Sequence, residues 1–173
     1  MANARINHVI HGLFQRRTSQ LSPEEVGRFY DNFVIACVDI VPIINEPSGR
    51  KILLGLRHEE PKTWWTIGRG MVPGESPYET ASRALSEEFG ITGTGHDRFK
   101  LLCINSSVFS HRRQPPEQNG RHCLTIVFAL EVKELEIERL VSKKYKEVAW
   151  FDVQESSVLD PTIRMVALAV QDI

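Results

Sequence analysis

A loop that leads into an amphipathic helix is the most constraining feature of the chain, and it lies in residues 69–91. These residues read RGMVPGESPYETASRALSEEFGI. Ser76 is a typical helix cap, Pro77 suits the first helical position, and Glu79 completes a capping box. Gly90 is typical of a residue that ends a helix. The spacing therefore predicts a helix over residues 77–89.

One face of this predicted helix is acidic. Positions 84, 87 and 88 share a face at a period of about 3.6 residues, and two of them are Glu87 and Glu88. Mg²⁺ prefers oxygen ligands and usually retains waters and binds substrate phosphates. We therefore expect Glu88, Glu87 and the Gly70 carbonyl to bind Mg²⁺, with Mn²⁺ as an alternative. Arg83 can pair with Glu87 or Glu79 along the helix.

The segment nearly matches the pattern GX5EX7REUXEEXGU, in which U is a bulky aliphatic residue, and so it resembles the Nudix box of the Nudix hydrolases. The residues that fit this pattern are Glu75, Arg83, Leu85, Glu87, Glu88, Gly90 and Ile91. Arg69 replaces the first glycine, which we take as a mild departure because Gly68 and Gly70 flank it. Ala84 replaces the glutamate after the arginine, so the metal site that the family implies lacks a carboxylate.

Composition is that of one ordinary globular domain, with 173 residues, of which 42% are hydrophobic and 25% charged. The formal net charge of −1 gives no general attraction to nucleic acid, so we expect no nucleic-acid partner. There is no apolar run long enough to cross a membrane, and we expect no membrane partner. The three cysteines show no metal-binding spacing, which favours reduced, buried thiols and a cytoplasmic location.

Along the chain, residues 1–20 form a polar, basic arm, and residues 21–173 form one Nudix-like domain. Residues 22–33 predict a short helix, and a C-terminal helix begins at Asp160. Predicted strands cover residues 33–44, 51–57, 99–109, 123–132 and 147–153. Pro42 predicts that strand pairing ends or bulges there, and residues 131–144 have no clear assignment. This order predicts an α/β (α+β) fold, and the resemblance implies the Nudix α/β/α sandwich with a mixed sheet between helices.

Within the family, residues 21–170 look most like the GDP-mannose mannosyl hydrolase branch. The likeness rests on the short helix before the first strand, on the LLGLR strand that ends in Arg57, and on the WWTIGRG approach to the box. That branch also tolerates loss of the glutamate that Ala84 replaces. The resemblance implies that Arg57 binds substrate, that Glu88 is a metal ligand and that the protein is a homodimer.

The sequence does not identify the general base directly. The branch uses a histidine and a glutamine before the last strand, whereas this chain has Lys144 and Tyr145 there. We therefore assign the catalytic roles to Arg83, Glu87 and His122. Arg121 is a second substrate-binding candidate, because residues 110–122 form a long and locally basic loop. The loop either closes over an anionic substrate or is merely solvated, and His111 is another candidate within it.

Three functions follow from these features. The first is a Mg²⁺-dependent hydrolase of a nucleoside diphosphate linked to another group, such as a sugar nucleotide like GDP-mannose. The second is a nucleotide-binding or regulatory module with weak or no hydrolase activity, because Ala84 replaces the box glutamate. The third is an enzyme that removes damaged nucleoside triphosphates.

Two tryptophans, Trp64 and Trp65, lie just before the box. Their position allows two interpretations: they stack on a base, or they pack against the core.

Overall fold

The computed structural model describes residues 6–16, 19–133, 137, 144–154 and 159–173. In that part of the chain, three helices and seven strands occur in the order α1, β1–β4, α2, β5–β7, α3. The helices are α1 (Pro23–Asn32), α2 (Pro77–Phe89) and α3 (Pro161–Gln171). The strands are β1 (Ile35–Glu46), β2 (Gly49–Arg57), β3 (Trp64–Trp65), β4 (Ile67–Gly70), β5 (Phe99–Phe109), β6 (Arg121–Glu131) and β7 (Tyr145–Asp152).

The ends of α2 agree with the sequence prediction. The Ser76 hydroxyl accepts a hydrogen bond from the Glu79 backbone N–H at 3.2 Å, and the Glu79 carboxylate accepts one from the Ser76 N–H at 2.7 Å. Gly90 follows the helix with φ 72°, a left-handed conformation that glycine adopts without a Cβ clash. The predicted capping box and the predicted helical span are therefore confirmed.

The strands form one mixed sheet in which β3-β2-β1-β6-β5 are neighbours in that order. Strand β1 runs parallel to β6, while its pairs with β2 and β4 and the β5–β6 pair are antiparallel. Strand β7 pairs antiparallel with β2. Pairing of β1 with β4 ends at Ile40 and pairing with β2 begins at Ile43, so Pro42 lies where β1 changes partners on that side. The prediction that pairing ends or bulges at Pro42 holds only for the pairing with β4, because pairing with β6 continues through Pro42 and β1 continues to Glu46.

Helices cover both faces of the sheet. Helix α2 packs on one face, where Val38, Ile40 and Phe128 join Ala84 and Leu85 in a buried cluster. Helix α3 packs with its apolar side on the other face. The second buried cluster lies there and contains Val41, Ile43, Ile52, Val127, Ile163, Val166, Ala167 and Val170. Neighbouring residues of one strand enter opposite clusters because side chains alternate across a sheet. The predicted sandwich with a mixed sheet between helices is confirmed.

Several boundaries differ from the prediction. Strand β6 begins at Arg121, so His122 belongs to a strand and not to the preceding loop. Strands β2 and β7 each begin two residues before their predicted starts. Residues 131–144 lie largely outside the described residues, as do residues 1–5 and 17–18 of the predicted arm. No helix among the described residues is both long and apolar enough to cross a bilayer.

The described part of the arm, residues 6–16, contacts the loop before α2. Ile6 packs against the cluster under α2. A ring carbon of Phe14 lies 2.5 Å from the position that a Cβ on Gly74 would take. Arg16 and Glu75 form an ion pair at 4.0 Å. The arm therefore has contacts to the box that the sequence did not indicate, and the division into arm and domain stays a prediction.

Candidate functional site

A cleft of about 250 Å³ opens between strands β1 and β6 and residues 68–76, which are called the box loop here and which begin at the end of β4. Alternate residues of β1 line it, including Cys37 and Asp39, as do Arg121 and Cys123 of β6. This pattern follows from the period of two along a strand, which puts every second side chain on one face. The box loop reaches the cleft through Gly68, where a Cβ would lie 1.8 Å from an Asp39 oxygen. Glycine is needed at that position because β4 approaches β1 closely.

Cations dominate the charged lining of this cleft. The cationic lining residues are Arg57, Arg69, Arg121 and Lys144, and the acidic ones are Asp39 and Glu59. Burial raises the pKa of the Asp39 carboxyl, and the Thr66 hydroxyl donates a hydrogen bond to it. The cleft is therefore suited to an anionic ligand.

The two predicted substrate-binding residues lie together in this cleft. Burial lowers the pKa of Arg57, which stands at the end of β2 beside a register shift with β7. The Arg121 guanidinium donates to the Glu60 carbonyl at 2.9 Å and lies 5.0 Å from the centre of the Phe109 ring. These contacts hold Arg121 at the cleft wall. Both assignments stay predictions, because no bound ligand tests them.

Lys144 immediately precedes β7, Tyr145 is the first residue of β7, and both line the cleft. The Lys144 ammonium donates to the Gly68 carbonyl. Burial, followed by repulsion from Arg69, lowers the pKa of Lys144 to about 8. The Tyr145 hydroxyl accepts a hydrogen bond from the Gly68 N–H at 3.2 Å, and burial raises its pKa above the ordinary value. Tyr145 therefore supports the box loop and stays protonated at neutral pH.

Arg69 makes the most unexpected contact of the site. Its Nε lies 2.7 Å from a Glu87 carboxylate oxygen, and its Nη2 lies 2.7 Å from a Glu88 oxygen. The Glu88 side chain is fully buried, whereas that of Glu87 is 42% exposed. One guanidinium therefore bridges both glutamates that the sequence assigned to a metal. Replacement of the first box glycine by Arg69 is not the mild departure that the sequence suggested.

Arg83 connects the box loop to α2 through several hydrogen bonds. Its Nε and Nη2 each lie 2.9 Å from a different oxygen of Glu75, which makes a bidentate ion pair. Nη2 also donates to the Gly70 carbonyl at 2.9 Å, and Nη1 reaches Glu87 at 3.4 Å. The predicted contact with Glu87 is present, while Glu79 is used for the helix cap. These bonds hold the loop on the helix, and a catalytic role of Arg83 stays a prediction.

The predicted metal ligands can now be compared with what a divalent cation requires. Glu87 and Glu88 both pair with Arg69, and the Gly70 carbonyl accepts from Arg83. No group of three or more His, Cys, Asp or Glu side chains in the described ranges is arranged to hold a metal. Mg²⁺ favours several unpaired hard oxygens. As arranged here these residues do not fit Mg²⁺ or Mn²⁺, and the metal assignment to Glu88, Glu87 and Gly70 stays a prediction.

The structure does not bring His122 into the cleft. Arg121 and Cys123 on either side of it face the cleft, so the strand period turns His122 to the opposite face. Its Nε2 lies 2.8 Å from the Ser106 hydroxyl there. His111 contacts the Ser110 hydroxyl at 3.0 Å and is exposed. The sequence placed His122 in a loop, where no alternation applies, and that error made it look available.

The loop before β6 is tied down by Arg112. Its side chain is fully buried and pairs with Asp31 of α1 at 2.7 Å. It also donates to the carbonyls of Gly120 at 2.8 Å and Gln114 at 2.9 Å. Gln114 is the member of this loop that lines the cleft. Arg112 therefore positions the loop and is not itself a ligand-binding group.

Two thiols lie in the cleft on adjacent strands. Cys37 of β1 and Cys123 of β6 both line the cleft. Interaction with the Cys37 thiol, and then the positive charge of Arg121, lower the pKa of Cys123 to about 7, whereas the pKa of Cys37 is raised. All three cysteines are free, but only Cys123 is buried, so the prediction of buried thiols is wrong for the half-buried Cys37 and Cys103.

Comparison with known proteins identifies the class of protein that this fold and site define. The family model described as the NUDIX domain matches residues 35–167. The chain therefore belongs to the Nudix domain family, and its class is that of the Nudix hydrolases. No curated protein is similar enough in sequence to count as a match.

Solved structures with the same fold are named for different phosphate-containing compounds. One is a binary complex of a C. elegans Ap4A hydrolase, with 14% identity, a TM-score of 0.58, and coverage of 80% of this chain and 96% of that one. Another is the NUDIX domain of Shewanella oneidensis NrtR with ADP ribose, with 16% identity, a TM-score of 0.56, and coverage of 84% and 95%. A third is the E. coli dihydroneopterin triphosphate pyrophosphohydrolase, with 18% identity, a TM-score of 0.56, and coverage of 79% and 92%. At these identities the likeness shows the fold alone.

Proposed function

We propose that the protein binds a nucleoside diphosphate linked to another group in this cleft and hydrolyses its diphosphate. The observation that carries the proposal is the convergence of Arg57, Arg69, Arg121 and Lys144 on one opening beside the box helix. A diphosphate carries several negative charges, and hydrogen bonds from guanidinium groups to phosphate are among the stronger ones in proteins. Cationic side chains also stabilise charge that develops on phosphoryl oxygens during cleavage.

Aromatic side chains supply the second half of a nucleotide site. Tyr30, Trp65 and Phe109 line the cleft beside the arginines. Trp65 packs edge to face on Phe109 with ring centres 5.8 Å apart, and it belongs to the buried cluster under α3. Its neighbour Trp64 packs on Phe151 with centres 4.8 Å apart. The tryptophans therefore pack against the core, and Trp65 also offers one edge to a nucleobase.

The identity of the group beyond the diphosphate is a finer part of the proposal. A sugar nucleotide such as GDP-mannose is the candidate that the sequence resemblance favours. The neighbours named for Ap4A hydrolysis and for ADP ribose widen the candidates to dinucleotides and nucleoside diphosphate riboses. Each candidate shares the diphosphate that the arginines would bind.

A turnover screen tests this function. Purified protein would be incubated with GDP-mannose, ADP-ribose, Ap4A and a nucleoside triphosphate, each with Mg²⁺, with Mn²⁺ and with EDTA. We expect release of a nucleotide product from at least one diphosphate-linked compound. Turnover of the triphosphate alone would favour the removal of damaged nucleoside triphosphates instead. No turnover of any compound, under all three conditions, would refute hydrolysis.

A binding or regulatory module is the second candidate, and the bridge from Arg69 to Glu87 and Glu88 favours it. That bridge occupies the carboxylates that would otherwise support hydrolysis. The screen separates the two candidates when it is paired with calorimetric titration of the same compounds. Saturable binding without turnover would support the module and contradict the hydrolase.

Assembly and location belong to the same proposal. Ile104 and Val108 of β5 and Leu124 of β6 are exposed apolar residues near one edge of the sheet. An apolar patch of this kind is a candidate contact for the predicted homodimer. Light scattering after size exclusion tests the dimer, and a monomer mass at micromolar concentration would contradict it. Fractionation of cells tests the predicted cytoplasmic location, and recovery of the protein outside the cytoplasmic fraction would contradict it.

A further inference from the structure

The Arg69 side chain is placed as a bound cation would be placed. It contacts one oxygen of Glu87 and one of Glu88, each at 2.7 Å, from a position in β4 directly opposite the box helix. Its third nitrogen, Nη1, takes part in neither of these ion pairs. The side chain is 24% exposed and lines the cleft. The guanidinium therefore joins the two glutamates on one side to the cleft on the other.

Other cationic side chains donate hydrogen bonds to the nearby carbonyl oxygens. Arg83 donates to the Gly70 carbonyl at 2.9 Å, and Lys144 donates to that of Gly68. The position of the missing box glutamate is Ala84, which is fully buried in the apolar cluster under α2. A divalent ion entering here would have to displace Arg69 and would meet repulsion from Lys144 and Arg57. Charge repulsion is stronger in a half-buried site than in bulk water.

We propose that the Arg69 guanidinium takes the place of the divalent cation, so that the cleft binds a diphosphate without bound metal. The inference rests on the proposed function, because it concerns the same cleft and the same class of ligand. Arg69 neutralises Glu87 and Glu88, which would otherwise repel a phosphate. Its Nη1 and the side chains of Arg57, Arg121 and Lys144 then face the ligand.

The first arm of the test measures Mn²⁺ alone, by electron paramagnetic resonance, on the wild-type protein and on Arg69→Gly. The variant restores the residue that the box pattern asks for. We expect no saturable Mn²⁺ site in the wild type below about 1 mM, and an affinity at least about tenfold higher in Arg69→Gly, because a repelling charge a few ångströms away is worth more than that. Equal Mn²⁺ affinity in the two proteins would overturn the inference without touching the proposed function.

The second arm measures binding of ADP, GDP and UDP by calorimetry in EDTA and again in Mn²⁺. We expect the wild type to bind at least one of them with affinities that agree within about twofold in the two buffers. Arg69→Gln should weaken binding in EDTA by about tenfold or more, since it removes a charge-assisted bond. Binding that requires Mn²⁺ would overturn the inference, and absence of binding in both buffers would instead overturn the proposed nucleotide site.

Two controls guard against a folding artefact. Arg69→Lys keeps the positive charge, so it should exclude Mn²⁺ as the wild type does even if Arg69→Gly fails to fold. Arg164→Ala removes an exposed arginine of α3 that is not among the residues lining the cleft, and it should leave nucleotide and Mn²⁺ binding unchanged. A Mn²⁺ site in Arg69→Lys as strong as that in folded Arg69→Gly would contradict the role of the charge.

Discussion

Removal of Arg69 should destabilise the fold, and the cost can be worked from the exposure of its two partners. The Glu88 side chain is fully buried and lies 2.7 Å from Nη2 of Arg69. Taking away one partner of a buried ion pair costs about 3–5 kcal/mol, because the other charge stays buried. The Glu87 pair adds little, since that side chain is 42% exposed and surface pairs are worth about 0–1 kcal/mol. We therefore expect Arg69→Gln to lose about 3–5 kcal/mol of unfolding free energy.

A double-mutant cycle assigns this loss to the pair. Urea denaturation followed by tryptophan fluorescence would be measured for the wild type, Arg69→Gln, Glu88→Gln and the double variant. We expect a coupling free energy of about 2 kcal/mol, because the double variant leaves no charge buried without its partner. Lys100→Gln is the matched control, since Lys100 pairs with Glu131 at 3.0 Å but both side chains are more than half exposed. It should change stability by less than about 1 kcal/mol. Additivity of the two single changes within about 0.5 kcal/mol would refute the bridge.

Three further changes test other parts of the structure. Arg112→Ala should cost about 1–3 kcal/mol, because it removes a fully buried side chain and leaves the Gly120 carbonyl without its hydrogen bond. Arg113→Ala, at an exposed pair, should cost less than about 1 kcal/mol. Equal losses in urea denaturation would contradict the anchoring role. Gly68→Ala should lower the free energy of unfolding by about 1–3 kcal/mol, because the added Cβ clashes with Asp39. Gly70→Ala should be nearly neutral, because a Cβ there meets open space. No loss of stability in Gly68→Ala would be inconsistent with the close approach of β4 to β1. The rate of Cys123 alkylation should rise as the pH passes about 7, because its lowered pKa makes the thiolate the main form above that pH. Burial raises the pKa of Cys103, so Cys103 should react only at higher pH. A Cys123 rate that rises only together with that of Cys103 would contradict the lowered pKa.

Local signals in the sequence were enough to predict the positions of the helices and of most strands. The capping residues of α2 gave its span, because caps satisfy backbone groups within a few residues. Proline at position 42 marked the change of partner along β1, since it lacks a donor N–H. In each case the information lies within one element. Boundaries were less accurate where a strand extends into a turn, as at the start of β6.

The candidate site was predicted only in part, because its contacts join elements that are distant in sequence. Arg57 and Arg121 line the cleft, although their roles in substrate binding stay predictions, and Lys144, which was not chosen, lines the same cleft. Asp39 was missed, and its one signal was a lone acid within an apolar strand. Helical spacing suggested Arg83 with Glu87, yet its bond to Glu75 spans a loop and cannot be obtained from spacing. The bridge from Arg69 to Glu88 depends on how β4 docks on α2.

The central claim is that a nucleoside diphosphate derivative binds among the cations of the cleft. The most direct test is calorimetric titration of the compound that turns over or binds best in the screen, using wild-type protein, the Arg57→Ala/Arg121→Ala double variant and Arg164→Ala. Each charge-assisted bond to phosphate is worth about 1.5–3 kcal/mol, so the double variant should bind at least about 100-fold more weakly, and Arg164→Ala should match the wild type. Equal affinity in all three folded proteins would place the ligand outside this cleft and contradict the account.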